Sequence, residues 1–120
     1  MLTTAGIDVG SSTVKVVVLR EEDGTPRVLG KTVERIRRRD PIGVIEECQE
    51  RTLAMAGISM AELDYGATTG EGDLVPFRTG HFYSMTAHAR GAIHLLPEAR
   101  AALDVGALHA RSILMDERSK

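Results

Sequence analysis

The sequence predicts an α/β fold on a mixed sheet: an antiparallel three-strand meander, a parallel strand beside it, and helices. Three observations carry this expectation. Two runs of strand-forming residues near the start are separated only by Gly10, Ser11 and Ser12. A well-capped helical segment follows Asp40-Pro41. A second strand–turn–strand unit near residue 104 echoes the first.

Each element has its own local cause. In "GIDVGSSTVKVVVL" the β-branched residues favour extended backbone, which predicts strands at about 4–9 and 13–20. Asp23-Gly24 marks a hairpin turn, and "RVLGKTVERI" then alternates apolar and polar residues as a half-exposed third strand does. Asp40 supplies an N-cap and Pro41 an N1 proline. Ile42, Ile45, Cys48, Leu53 and Ala56 recur at helical spacing, and Gly57 stands at C′, so a helix spans Pro41 to Ala56. After a loop at 57–63, "LDYGATTGEGD" reads as a short buried strand at about 64–69 ending in a glycine-rich corner. Met85, Ala89, Ala92 and Ile93 predict a second helix over 84–95, stopped by Pro97. Two further strands, 99–105 and 109–115, join at Gly106-Ala107. This is the element order of a ribonuclease-H-like layer, in which the first strand reaches a parallel neighbour through a crossover helix.

Composition narrows the class. At 120 residues and 42% apolar content the chain can bury a real core, and with 3% aromatics that core is aliphatic. A net charge of −2 argues against nucleic-acid or anionic-membrane partners. The single cysteine, Cys48, excludes an internal disulfide framework and fits a reducing compartment. No apolar run approaches the roughly 18 residues of a membrane span, and Met1 is not followed by a basic leader. A cytoplasmic location is the expectation.

The chemistry concentrates at Asp8. An aspartate among buried strand residues is costly unless paired or bound to a metal. "AGIDVGSSTVKVVVL" and "AALDVGALHARSILM" share a small-apolar lead, Asp-Val-Gly, a short turn, a basic residue and an apolar return strand. Two such hairpins could clamp a triphosphate and its magnesium, the aspartates holding metal or its waters and the turn amides binding phosphate oxygens. Lys15 could place a cation near the same anions. No P-loop is present, since no glycine-rich turn leads through Lys-Ser/Thr into a helix.

"DVGSSTVK" resembles the first phosphate motif of the actin, Hsp70 and sugar-kinase superfamily, and "LDVGA" the start of its second. "GHFYSMTAHARGA" and "PEARAALDVGA" are similar to the D-type ATPase subunits of benzoyl-CoA reductases, which form one family with activators of 2-hydroxyacyl-CoA dehydratases. The resemblance covers almost the whole chain. It implies an ATPase whose hydrolysis of Mg-ATP drives a domain rotation. That rotation lowers the potential of a [4Fe–4S] cluster shared between two related subunits, for electron transfer to catalytic reductase subunits. By matching motifs, Asp8, Gly10, Ser11, Ser12, Thr13 and Lys15 take the first phosphate-and-magnesium role. Asp104, Val105 and Gly106 begin the second, with Asp104 a further magnesium residue, and Gly70, Glu71 and Gly72 form a linking corner. The dehydratase activators continue the second motif as Asp-Ile-Gly-Gly-Gln-Asp. Here Asp104 leads into Val105, Gly106, Ala107, Leu108 and His109, without the second carboxylate.

On this reading residues 1–97 are the first lobe and 98–120 the opening hairpin of a second, and the 120 residues alone are expected to be inactive. One cysteine cannot supply a four-thiolate cluster, so the cluster ligands lie outside these residues. Homo- or hetero-oligomeric partners are expected, and self-association through 99–115 if this hairpin's face is left uncovered. Two other readings stay open: a non-catalytic dimerising or binding module, and a sugar- or acetate-kinase-type phosphotransferase. The remaining signals have plain explanations. "RIRRRD" reads as a solvated strand end, His81, His88, His94 and His109 match no common zinc spacing, and Cys48, Tyr65, Phe77, Phe82 and Tyr83 read as packing or lobe-interface residues.

Overall fold

A computed structural model describes residues 1–71, 74–105 and 110–115. By packing, the chain divides into two units, Met1–His81 and Phe82–Lys120, a division ahead of the 97/98 lobe boundary read from the sequence. The first unit opens with β1 (Leu2–Val9), β2 (Thr13–Glu22) and β3 (Thr25–Arg35), an antiparallel meander. Asp23 and Gly24 both take positive φ, 53° and 78°, as a two-residue type I′ hairpin turn needs. A bulge between Val18 and Leu19 leaves Leu29 as the extra residue on β3.

Helix α1 (Pro41–Ala56) follows, in the span expected. Asp40 caps it by accepting from the Ile42 N–H at 3.4 Å, and the N–H groups of Gly57 and Ile58 close its other end on Ala54 and Leu53 carbonyls. A 3-10 turn at Met60–Glu62 leads to β4 (Tyr65–Gly70), which pairs parallel with β1. A two-residue strand, β5 (Gly80–His81), adds parallel to β4, giving the order β3-β2-β1-β4-β5. Two residues are too few to show a period, so β5 has no signature in the sequence.

The sheet's core face carries Ile7, Val9, Val14 and Val16 against Val44, Ile45 and Cys48 of α1, with Ile36 and Val75 buried beside them and Phe77 packed on the cluster. Ala5, Val18 and Leu53 form a second group. Cys48 is fully buried, its Sγ 3.0 Å from Thr32 Oγ1, and burial pushes its thiol pKa up. It is a packing residue, as expected.

In the second unit, beside the antiparallel hairpin β6 (Ala101–Val105) and β7 (Ala110–Leu114), α2 (Ser84–Leu95) packs its Ala89, Ala92 and Ile93 against Ile113 of β7 and Met115 just after it. Phe82 and Tyr83 are exposed, unlike Phe77. No helix among the described residues is long and apolar enough to cross a membrane.

Candidate functional site

Strand alternation decides what faces where at the end of β1. Ile7 and Val9 enter the core, so Asp8 between them points to the opposite face, its side chain 29% exposed. In register with it stand Lys15 on β2 and Thr69 on β4. Lys15 Nζ lies 3.4 Å from Asp8 Oδ2. With the lysine side chain 46% exposed, such a pair contributes at most about 1 kcal/mol, so its consequence is placement of charge rather than stability.

The turn after β1 is closed by the Gly10 N–H donating to Thr13 O at 2.8 Å, and Ser12 O accepts from Ile36 N at 2.8 Å. Gly10 thus spends its amide inside the turn. Ser11 and Ser12 are exposed, and their N–H groups have no acceptor among the described residues. These two amides and the adjacent hydroxyls are the donors the turn leaves on its surface, the kind of group that can bind an anion.

Across from the turn, the chain leaves β4 through a tight corner. Gly70 has φ +67°, and a Cβ built there would sit 2.3 Å from Val9 O and 3.1 Å from Asp8 Oδ1. Only glycine lets the backbone pass this close to the carboxylate. The Glu71 N–H bonds Val9 O at 2.8 Å, pinning the corner to the end of β1, while the Glu71 side chain is exposed.

Asp8, Gly10, Ser11, Ser12, Thr13, Lys15, Gly70 and Glu71 are therefore neighbours around the carboxyl end of β1, the central strand of the first unit. Gly72 and Gly106 lie outside the described residues, and of Asp104 only the backbone is described. That backbone repeats the first hairpin's pairing. Asp104 stands opposite Arg111 on β7 as Asp8 stands opposite Lys15 on β2. Thr69, in register with Asp8, escapes a reading of the sequence; its only signal there is its place before the corner glycine in "ATTGEG".

No three of the described His, Cys, Asp and Glu residues gather as a metal site of their own. Magnesium held through one or two carboxylates, with waters and phosphate oxygens completing its shell, needs no such cluster. A carboxylate in a backbone cradle too tight for a Cβ, beside exposed amides and a lysine, fits a metal that arrives with its nucleotide.

A family model described as the BadF/BadG/BcrA/BcrD ATPase family matches residues 5–120. The chain is 54% identical over 120 residues to the D-type subunit of benzoyl-CoA reductase from Thauera aromatica, all of this chain aligning with 43% of that protein. It is similar in structure to component A of (R)-2-hydroxyglutaryl-CoA dehydratase from Acidaminococcus fermentans. There the TM-score is 0.86 at 21% identity, over 97% of this chain and 44% of that one. The activator of 2-hydroxyisocaproyl-CoA dehydratase from Clostridium difficile, solved with bound ADPNP, superposes with a TM-score of 0.83 at 22% identity, over 99% of this chain and 43% of its own. At these identities the two structures show the fold alone, a mixed α/β layer on a five-strand sheet resembling the first lobe of an actin-like ATPase. The chain spans less than half the length of each of these three relatives.

Proposed function

Because the chain belongs to the BadF/BadG/BcrA/BcrD ATPase family, we propose that it supplies the first half of a Mg-ATP site in an ATPase component of a benzoyl-CoA-reductase-type system. The observation that carries this reading is the convergence of Asp8, Lys15 and the Gly70 corner at the end of the central strand β1. A nucleotide bound there supplies a phosphoanhydride whose hydrolysis can be coupled to low-potential electron transfer.

In this reading the chain's own residues bind and orient. Ser11, Ser12 and Thr13 offer amides and hydroxyls to phosphate oxygens, and Lys15 offsets phosphate charge. Asp8 holds the magnesium ion or one of its waters. Gly70 and Glu71 keep the linking corner against that carboxylate, and by their motifs Gly72 is assigned to the same nucleotide-binding set and Asp104 and Gly106 to the second phosphate motif. Residues 1–97 then form the first lobe and 98–120 begin the second. A related ATPase subunit and catalytic reductase subunits are the partners, in the cytoplasm.

An iron–sulfur cluster does not fit these residues. The one cysteine is buried between α1 and the sheet, bonded to Thr32, and four thiolates are required.

Calorimetric titration of the full-length protein with Mg-ATP tests the proposal. Asp8→Asn is expected to weaken binding at least tenfold, a loss of about 1.4 kcal/mol. A wild-type protein that binds no Mg-ATP, or an Asp8→Asn variant that binds it unchanged, would overturn the reading.

A further inference from the structure

Two consecutive threonines on β4 have opposite circumstances. Thr68 lies on the core face, and its Oγ1 is satisfied by His81 Nδ1 at 2.8 Å and Gly80 O at 3.4 Å. Thr69 points the other way. It is the register partner of Asp8 in the parallel β1–β4 ladder, and register partners share a face. Its residue is 8% exposed, and its Oγ1 is buried with no hydrogen-bond partner among the described residues. A hydroxyl taken out of water and left unbonded works against folding, and valine would fill the same volume without that cost. A β-branched residue suits a strand, so packing explains the shape of Thr69 but not its oxygen.

The neighbours indicate what the oxygen is for. Asp8 stands between Thr69 on one side and Lys15 on the other. The carboxylate also lies 3.1 Å from where a Gly70 Cβ would be, so the β4 corner next to Thr69 is in contact with the group proposed to hold magnesium. Lys15, a cation, repels a metal and suits phosphate. A neutral hydroxyl can accept a hydrogen bond from a metal-bound water without adding charge. Magnesium dehydrates reluctantly and keeps several such waters.

Resting on the nucleotide reading above, we infer that Thr69 is a positioning residue of the magnesium site. Its hydroxyl holds a water of the metal's hydration shell on the β4 side of Asp8. The role belongs to the metal rather than to the nucleotide's phosphates, and this separates it from the turn residues 11–13.

The test compares wild type, Thr69→Val, Thr69→Ser and Asp8→Asn in the full-length protein, by melting temperature and by calorimetric titration. The probe is the non-hydrolysable β,γ-imido analogue of ATP, with magnesium and with the metal removed by chelator. Thr69→Val is expected to melt at the wild-type temperature or a few degrees above it. It should bind the magnesium complex about fivefold more weakly, and the metal-free analogue as wild type does. Thr69→Ser should restore the magnesium-dependent part. Unchanged binding in Thr69→Val, with binding lost in Asp8→Asn, overturns this inference and leaves the nucleotide reading standing. An equal loss with and without magnesium, or a lowered melting temperature, also overturns it, by assigning Thr69 to phosphate or to packing. Absence of binding by wild type removes both.

Discussion

At Gly70 one hydrogen atom in place of a side chain lets two strands end together. Its φ of +67° lies in the left-handed region, and an added Cβ would meet Val9 O at 2.3 Å. Gly70→Ala is therefore expected to destabilise the fold by roughly 2 kcal/mol or more, from backbone strain and the displacement of the β1 end together. Urea denaturation measures this as a lower midpoint at unchanged slope. An unchanged midpoint would show that the corner relaxes freely and does not hold Asp8 in place. From the sequence alone, "TTGEGD" shows a glycine-rich corner. That Gly70 presses on Val9 and Asp8 is a property of the parallel pairing, which joins residues about 60 positions apart. Asp8 itself was legible because an acid inside a β-rich run demands a reason. Thr69 was not, because threonine is an ordinary strand residue and only the lack of a partner for its hydroxyl among the described residues sets it apart.

Elements are joined by Glu34, near the end of β3. Arg39 Nη2 bonds its Oε1 at 3.2 Å, Arg51 of α1 bonds its Oε2, and Arg39 also approaches Glu47 of α1 at 3.7 Å. The hydrogen bond from Arg39, aided by the charges of Arg51 and Arg39, holds the Glu34 carboxyl below its usual 4.5 against an opposing effect of desolvation. The sign follows directly. A depressed carboxylate stabilises the fold above its unfolded value of 4.5, and the contribution disappears as pH falls through the lower folded value. An NMR titration should place Glu34 below 4.5 at low salt and move it upward in Arg39→Ala. A midpoint that stays put in Arg39→Ala would mean that the pair is not formed in solution. The cluster also gives "RIRRRD" a partly structural meaning. Arg39 links strand to helix, while Arg35, Arg37 and Arg38 are exposed.

At the scale of the whole molecule, the second hairpin leaves one apolar face uncovered. One face of it is buried through Ile113 against α2, and the other presents Leu103, Val105 and Leu114, all at least 70% exposed. An apolar strand face of this kind favours association. The 120-residue chain is expected to show a concentration-dependent mass by light scattering, reduced in the double variant Leu103→Lys, Leu114→Lys. A monodisperse wild-type monomer would show that this face stays apart from other copies. The pairing of Asp104 with Arg111, repeating that of Asp8 with Lys15, carries the internal echo from sequence into backbone register.

Local patterns were enough to set out the longer elements and their order, though not the two-residue β5 or the 3-10 turn before β4. Alternation marked the meander, Asp40-Pro41 and Gly57 bounded α1, and the Asp-Val-Gly repeat marked both hairpins. Each of these depends on residues within a few positions of one another, where sequence and conformation are directly linked. Only the tertiary structure decided that α2 packs on β6 and β7, that β5 extends the sheet, and that Thr69 and Gly70 flank Asp8. Those relations arise when a crossover brings distant strands into register, and no local period encodes which residues will then face each other.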